Sequence, residues 1–465
     1  MSSFSTGLYG STIGSIVGNI NDAFSGKTSG IDVNTVVSEL MQLQRQPEVQ
    51  LQNQQSTIKD QVTALNSIST QLTALYTSVN TLKDIFGAFS QNSTGTSDAA
   101  IVSAAADSSA AAGTHTVVVN KLATTSSSYS GYIPSGTSLG GTQLVIQYGS
   151  DPDNPVKTDT INIPSGDTTL KQAASYINGG SFGVTASVMT DSHGSRLVLV
   201  SKTSGADGNL NITSSAASFT TAAGIDAQLT VDGTPFDSST NTVTGAISGV
   251  TLSLGSADPN TSVLISVQPD LTTASQAIQD FVDGYNAVMG SINSQYSMSS
   301  TGNEGVLGGD SMLRTLQNSL LSMVGGTVSG VGPYVNLQSM GIEMQNDGTL
   351  DINSTKLSEA LSNNYADVKT FFQSTSGWGQ LAGKQMLQIT DPTLGPVAAD
   401  INGLKQTSQS LTRQISDFEV RMSSVQAQLT TQYSSLNALL QQYPSLMQQI
   451  AAQLSSLPSA KSNNG

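Results

Sequence analysis

With 465 residues the chain is long enough to bury several cores and suggests about three domains. Its 17 basic residues against 32 acidic give a formal net charge of −15, which leaves no basic stripe for a nucleic-acid backbone; the complete lack of cysteine excludes disulfides, thiolate metal sites and cysteine nucleophiles. Charged residues are only 11% and aromatics 5% of the chain, low for an ordinary cytosolic enzyme, and no run approaches the ~18 apolar residues of a membrane span.

Residues 1–30 are Ser/Gly-rich, with no basic residue before Lys27. They read as a flexible segment that orders on assembly, and they lack the positive stretch and compact apolar core of a secretory signal. Helical signals start at Ile31-Asp32-Val33-Asn34, where Asp32 or Asn34 can cap a helix carrying Val36, Val37, Leu40, Met41 and Leu43. Pro47 is expected to break or kink that pattern. A row at seven-residue spacing follows, Leu51, Ile58, Leu65, Leu72, Val79 and Phe86, widened by Val62, Ile68, Leu75 and Leu82.

From about Asp98 the apolar period becomes two. Strands are expected at residues 115–119, 144–146, 184–188, 197–200, 227–231, 250–254 and 263–267, punctuated by Gly140-Gly141, Asp153-Asn154-Pro155, Gly179-Gly180 and Asp232-Gly233. A short helix from Thr168 to Ile177 lies among them. These strands are too many for one small sheet, so two β-rich subdomains are predicted. Helix returns at Leu271 with a continuous stripe to Ile292, then at Met312 to Val324 behind Asp310 or Ser311 as cap. Asp347-Gly348 turns a short hairpin, and one further helix is expected to carry Leu357, Leu361, Val368, Phe371 and Phe372.

The last element runs from Leu404 to Leu454. Leu404, Leu411, Phe418, Val425, Gln432, Leu439 and Leu446 form one row, and Ser408, Ile415, Met422, Leu429, Leu436, Tyr443 and Ile450 the next. Such spacing over about six heptads argues for a coiled coil roughly 70 Å long. The natural partner is the N-terminal row. The predicted assembly seam is therefore Leu51, Ile58, Leu65, Leu72 and Val79 against Leu411, Ile415, Phe418, Met422, Val425, Leu429, Leu436 and Leu439. No residue between Asp60 and Lys83, or between Arg421 and Lys461, is charged. Flanking salt bridges therefore cannot set pairing here. Either a bland two-helix hairpin or faces that pack on identical neighbours would account for this.

The fold class is α+β and multidomain. Residues 31–87 are N-terminal coiled-coil helices. Residues 88–130 with 223–270 make an inner β-rich domain, and 131–222 an outer inserted one. Residues 271–403 form a helical domain, 404–455 the C-terminal coiled coil and 456–465 a flexible tail. His115 and His193 lie in separate strand regions without ligand-spaced carboxylates, so no metal site is expected. Asp151-Pro152-Asp153-Asn154 lacks the spacing of a calcium loop and reads as a turn. Trp378 between two glycines is expected to pack on the helical domain. No nucleophile elbow, phosphate loop or dinucleotide fingerprint is present, so neither catalysis nor a cofactor is predicted.

In order along the chain, these segments resemble the family of bacterial flagellar filament cap proteins, hook-associated protein 2. The resemblance rests on Gly30-Ile31-Asp32-Val33-Asn34 through Arg45-Gln46-Pro47; on Ala112 to Val119 followed by Lys121-Leu122-Ala123; and on Leu170 to Asn178 with Gly183 to Val188. Ala227 to Gly233, Ser239 to Val243 and Ile247 to Leu254 continue it, with Phe281, Tyr285 and Asn286, and Gly341-Ile342 with Asp347 to Leu350. It implies a protein exported unfolded through the flagellar type III machinery, with a chaperone, that forms a ring-like homo-oligomer at the filament's distal tip. There it would retain exported flagellin and promote its folding and insertion, its helical legs pointing into the filament. Adhesion to host mucin or a cell surface is a secondary expectation. The rival classes are a surface adhesin on a coiled-coil stalk, or another axial component such as a hook–filament junction protein. The latter should lack the Gly113 to Ala123 and Ala227 to Leu254 blocks.

Overall fold

A computed structural model describes residues 14–22, 25, 30–134, 137–166, 168–214, 217–297 and 305–455. In chain order, helix α1 covers residues 14–22, followed by α2 (Val33–Gln44) and α3 (Gln46–Lys83). The β-rich part holds β1 (Asn92–Thr96), β2 (Val102–Ala106), β3 (Gly113–Lys121), β4 (Thr125–Ser130), β5 (Gln143–Tyr148), β6 (Lys157–Asn162), α4 (Leu170–Gly179), β7 (Val184–Asp191), β8 (Gly194–Ser204), β9 (Leu210–Ser214) and β10 (Phe219–Ala222). It continues with β11 (Ala227–Val231), β12 (Thr234–Ser238), β13 (Thr242–Ile247), β14 (Val250–Leu254) and β15 (Asp258–Pro269). Then come α5 (Leu271–Tyr296), α6 (Ser311–Gly325), the hairpin β16 (Ile342–Met344) and β17 (Leu350–Ile352), α7 (Ser354–Asn363), α8 (Tyr365–Gln373), α9 (Trp378–Thr390) and α10 (Pro396–Ser455).

An inner β unit packs the antiparallel sheet β1-β15-β3-β11-β12 on β13-β14-β2. Their inward residues, among them Val117, Val119, Leu229, Leu252, Val263 and Ile265, form one buried cluster, the alternation expected of half-buried strands. The β11–β12 turn is Asp232-Gly233, with φ of 48° and 81°, the left-handed pair that a two-residue hairpin demands. Asp232 also accepts the Thr116 N–H and contacts His115 Nδ1, each at 2.8 Å.

An outer unit, inserted between β3 and β11, faces sheet β10-β4-β8-β7 with β6-β5-β9 and α4. Thr169 and Gln172 close a capping box at the start of α4, which buries Ala173, Ala174 and Ile177. Strand β4 pairs with β8 and β10, so the chain leaves the inner unit before Thr125. At the tip of the β7–β8 hairpin, His193 N–H bonds Asp191 Oδ1 at 2.8 Å. Asp151 accepts the Asp153 N–H at 3.0 Å through its side chain and the Asn154 N–H at 3.2 Å through its carbonyl, which closes a turn.

The helical unit has the largest core. Leu65, Ile68, Leu72, Leu75, Val79 and Leu82 of α3 lie in it beside Phe281, Tyr285, Leu316, Phe372 and Met386. Trp378 sits at the start of α9, where it stacks on Phe371, meets Phe281 edge-on at 5.1 Å, and donates its indole N–H to the Met323 carbonyl at 2.9 Å. Asn286 grips the β16–β17 hairpin by bonding both the N–H and the C=O of Leu350, at 2.7 and 2.8 Å. The helix expected from Leu357 to Phe372 is two, divided at Asn364. Helix α9, whose Gly379 and Gly383 let it close on Lys83 of α3, was not anticipated.

Candidate functional site

Helices α2 and α3 run beside α10. Asp32 caps α2 by accepting the Thr35 hydroxyl at 2.6 Å and its N–H at 3.2 Å, which holds its carboxyl below the usual range. The helix ends at Arg45, and α3 restarts with Pro47 in its first turn, where the missing N–H costs nothing. Arg45 Nη1 crosses this break to Glu48 Oε2 at 2.6 Å.

Helix α10 returns antiparallel to both. At its base Val397, Ile401 and Leu404 join the helical core. There Asp400 faces Asp310, which caps α6 by accepting the Met312 N–H at 2.8 Å. Burial, with Asp310 adding to it, pushes the Asp400 carboxyl up to about 6. Further on, Gln55 Nε2 donates to Thr412 Oγ1 at 2.7 Å beside a groove of about 460 Å³ lined by Ile58, Val62, Lys405 and Ser408. Ile58 is therefore only half-buried, as is Leu51 one heptad before it.

Beyond the groove the partner of α10 changes. Phe418 and Met422 bury themselves on Val37 and Met41 of α2, with Val33, Val425, Leu429 and Tyr433 around them. A second cluster adds α1: Ile16, Ile31 and Val36 pack with Ile20, Leu40, Leu436 and Leu440. Within the segment expected to be flexible, residues 14–22 are thus a docked helix, held also by Ser15 Oγ donating to Glu39 Oε1 at 2.7 Å. Asn437 Oδ1 accepts the Ile31 N–H at 2.8 Å, and a side chain on Gly30 would press into that amide. Most of the remaining N-terminal segment and all of 456–465 lie outside the described residues.

The expected seam is therefore shared out. Leu65, Leu72 and Val79 are buried in the helical core, and Phe86 lies past the end of α3, exposed. Leu411, Phe418 and Met422 are buried, Ile415, Val425, Leu429 and Leu436 half-buried, and Leu439 is 66% exposed. The distal partner of α10 is α2, whose stripe Val33, Val36, Val37, Leu40 and Met41 carries the periodicity that identifies it. Past Leu440, Tyr443, Leu446, Met447, Ile450 and Leu454 are 44–65% exposed. They form an apolar face that no described residue covers.

The uncharged polar faces also have a definite state. Thr63, Thr70, Thr73, Thr77 and Thr81 of α3 each donate their hydroxyl to the carbonyl four residues back, at 2.9–3.1 Å. Thr430, Thr431 and Ser435 of α10 do the same, as do Thr407 and Thr412 in its charged first part. Such hydroxyls can be covered by another helix without stranding a donor. Among the described residues no group of three or more His, Asp or Glu could hold a metal, and no helix is long and apolar enough to cross a membrane.

Two family models span most of the chain. One, Flagellar hook-associated protein 2 N-terminus, matches residues 29–126, and Flagellar hook-associated protein 2 C-terminus matches 224–445; between them the Flagellin hook IN motif matches 152–203. The chain is 27% identical to the B-type flagellar hook-associated protein 2 of Pseudomonas aeruginosa, over 92% of this chain and 96% of that one. It is 27% identical to flagellar hook-associated protein 2 of Escherichia coli, over 89% and 94%. The crystal structure of the flagellar cap protein FliD from Escherichia coli superposes with a TM-score of 0.59 at 27% identity, covering 74% of this chain and 99% of that one.

Proposed function

The chain belongs to the flagellar hook-associated protein 2 family, and from that premise we infer that it caps the distal end of the bacterial flagellar filament. At the tip it retains exported flagellin and promotes its folding and polymerisation. The observation that carries this reading is the match of both terminal family models across the paired ends, 29–126 and 224–445.

The geometry supplies a mechanism for a cap that must hold the tip yet let each new subunit pass. The apolar face from Leu439 to Leu454, which no described residue covers, offers area to hydrophobic partners, at about 25 cal/mol per Å² covered. The faces around it carry back-bonded hydroxyls and no charge between Arg421 and Lys461. Contacts made there involve no ion pair to desolvate or break, which suits repeated release and rebinding. The work comes from flagellin folding and docking, so the protein acts as a template and not as an enzyme. Self-association into a ring, export through the flagellar type III machinery with a chaperone, and secondary adhesion to mucin are parts of the same reading.

The test is a deletion strain. It should secrete monomeric flagellin into the medium, and the labelled protein should sit at distal filament ends. Short filaments that grow normally without it, or label along their length, would count against the cap. A charge pair placed on the α10 face should slow elongation; an unchanged rate would remove the weak-interface mechanism.

A further inference from the structure

Two chain crossings, residues 122–125 and 223–226, connect the inner β unit to the outer one. Two side-by-side linkers alone would permit bending and twisting. These are instead tied to each other and to a loop from each unit. Thr124 donates its N–H to the Ile225 carbonyl at 2.9 Å, and Ile225 returns its N–H to Thr124 Oγ1 at 3.2 Å. From the inner unit, Asn241 takes both polar groups of Ala123, accepting its N–H at 2.7 Å and donating to its C=O at 3.0 Å. From the outer unit, the Ala206 N–H reaches Asp226 Oδ1 at 2.7 Å, and Gly205 N–H reaches the Thr124 carbonyl at 3.0 Å. Asn209 Oδ1 accepts the Gly224 N–H at 2.6 Å. The two units also meet directly, Ser204 Oγ donating to the Ser239 carbonyl at 2.7 Å.

Close packing completes the joint. Gly205 is buried with φ of +77°, and a Cβ there would come 2.6 Å from the Ser239 carbonyl oxygen. Gly224 is buried too, and a Cβ would come 2.5 Å from the Thr124 carbonyl oxygen. Backbone groups bonded from several directions, with no space to slide, have one arrangement and not a range of them.

We propose that this junction is a locked elbow, so that the inner and outer β units move as one rigid body. The outer unit then keeps a fixed direction relative to the inner one, and force on one is transmitted to the other. Most bonds of the lock join amides, hydroxyls and carbonyls, so it holds across ionic strength, where a joint made of surface ion pairs would loosen.

The absence of cysteine allows a direct test in the full chain. Ser175→Cys on α4 and Thr244→Cys on β13, both at exposed positions, take a pair of spin labels for distance measurement by pulsed electron resonance. One narrow distance distribution is expected, unchanged between low and high salt. Adding Asn241→Ala with Asp226→Ala and Ser204→Ala should broaden it about twofold or more while the β-sheet circular dichroism stays intact. A broad or two-peaked distribution in the unmodified pair, or a triple variant as narrow as its parent, overturns the proposal. Should the triple variant fail to fold, hydrogen exchange of the unsubstituted chain decides. The amides of Ala123, Ala206 and Gly224 should exchange as slowly as those of β3, and exchange at loop rates overturns the lock.

Discussion

Phe418 offers the sharpest perturbation of the rod. It is 6% exposed and packs with Met422 on Val37 and Met41, with the Arg421 guanidinium 5.0 Å from its ring centre. A buried Phe→Ala truncation costs ~3–5 kcal/mol, and the lost cation–π contact adds about 0.5–1 kcal/mol. The cluster contains four buried side chains, each contributing roughly 1.5–3 kcal/mol. Phe418→Ala therefore removes a large part of what holds α2 on α10. The helical core is a separate cluster with its own contacts, so the loss should be local. At the lower estimate of ~3 kcal/mol, opening of this stretch becomes about two orders of magnitude more frequent. Hydrogen exchange read by mass spectrometry should show protection falling in residues 33–44 and 415–436, with α5 and α9 unchanged. Trypsin should cut sooner at Arg421. Val420→Ala, on the exposed side of the same turn, is the control and should do neither. If Phe418→Ala leaves protection in α2 intact, or if the loss spreads through α5, the separation of rod from core is wrong.

Other outcomes follow from the same geometry. Removing residues 441–465 takes away most of the uncovered apolar face and should leave the β and helical units folded by circular dichroism and protease resistance, yet abolish capping; normal motility would sink the leg model. Asn286→Ala strips two hydrogen bonds from Leu350 and should destabilise the helical unit by ~1–3 kcal/mol, measured by urea unfolding. For pH, Asp400 is raised from 3.8 to about 6. Between those values it stays protonated in the folded chain and ionises in the unfolded one, so its contribution favours folding in acid, falls as pH rises toward about 6, and is flat above. Asp400→Asn should raise the helical unit's melting temperature at pH 7 and flatten this slope, read as the difference from the parent so that other carboxylates cancel. Equal slopes in both would exclude a raised Asp400 carboxyl.

Much of this organisation was legible in the residues. Period-two alternation located β3, β5, β7, β8, β11, β14 and β15, whose inward faces are mostly Val, Ile, Leu and Ala. The stripes of α5 and α6, the Asp347-Gly348 hairpin, the break at Pro47 and the long final helix followed from spacing, caps and turn chemistry, all of which act within a few residues. Strands such as β4, Thr125–Ser130, were not legible: its buried residues are Ser126, Ser128 and Ser130. Ser126 and Ser128 donate across the sheet, to the Ala222 and Thr220 carbonyls at 3.1 and 3.3 Å, and Ser130 accepts the Leu197 N–H of β8 at 3.0 Å.

What the chain's own pattern determined was that residues 31–83 and 404–454 are helical, apolar on one side and free of charge over long stretches. Which helix each stripe meets was decided by tertiary structure. A heptad row specifies a buried face but not its partner, because Leu and Val pack equally well on any apolar surface of the right shape. So the row from Leu65 to Leu82 went to the core with α5 and α9, and the shorter stripe of α2 took the distal half of α10. Only that allotment leaves Leu439 to Leu454 uncovered by any described residue.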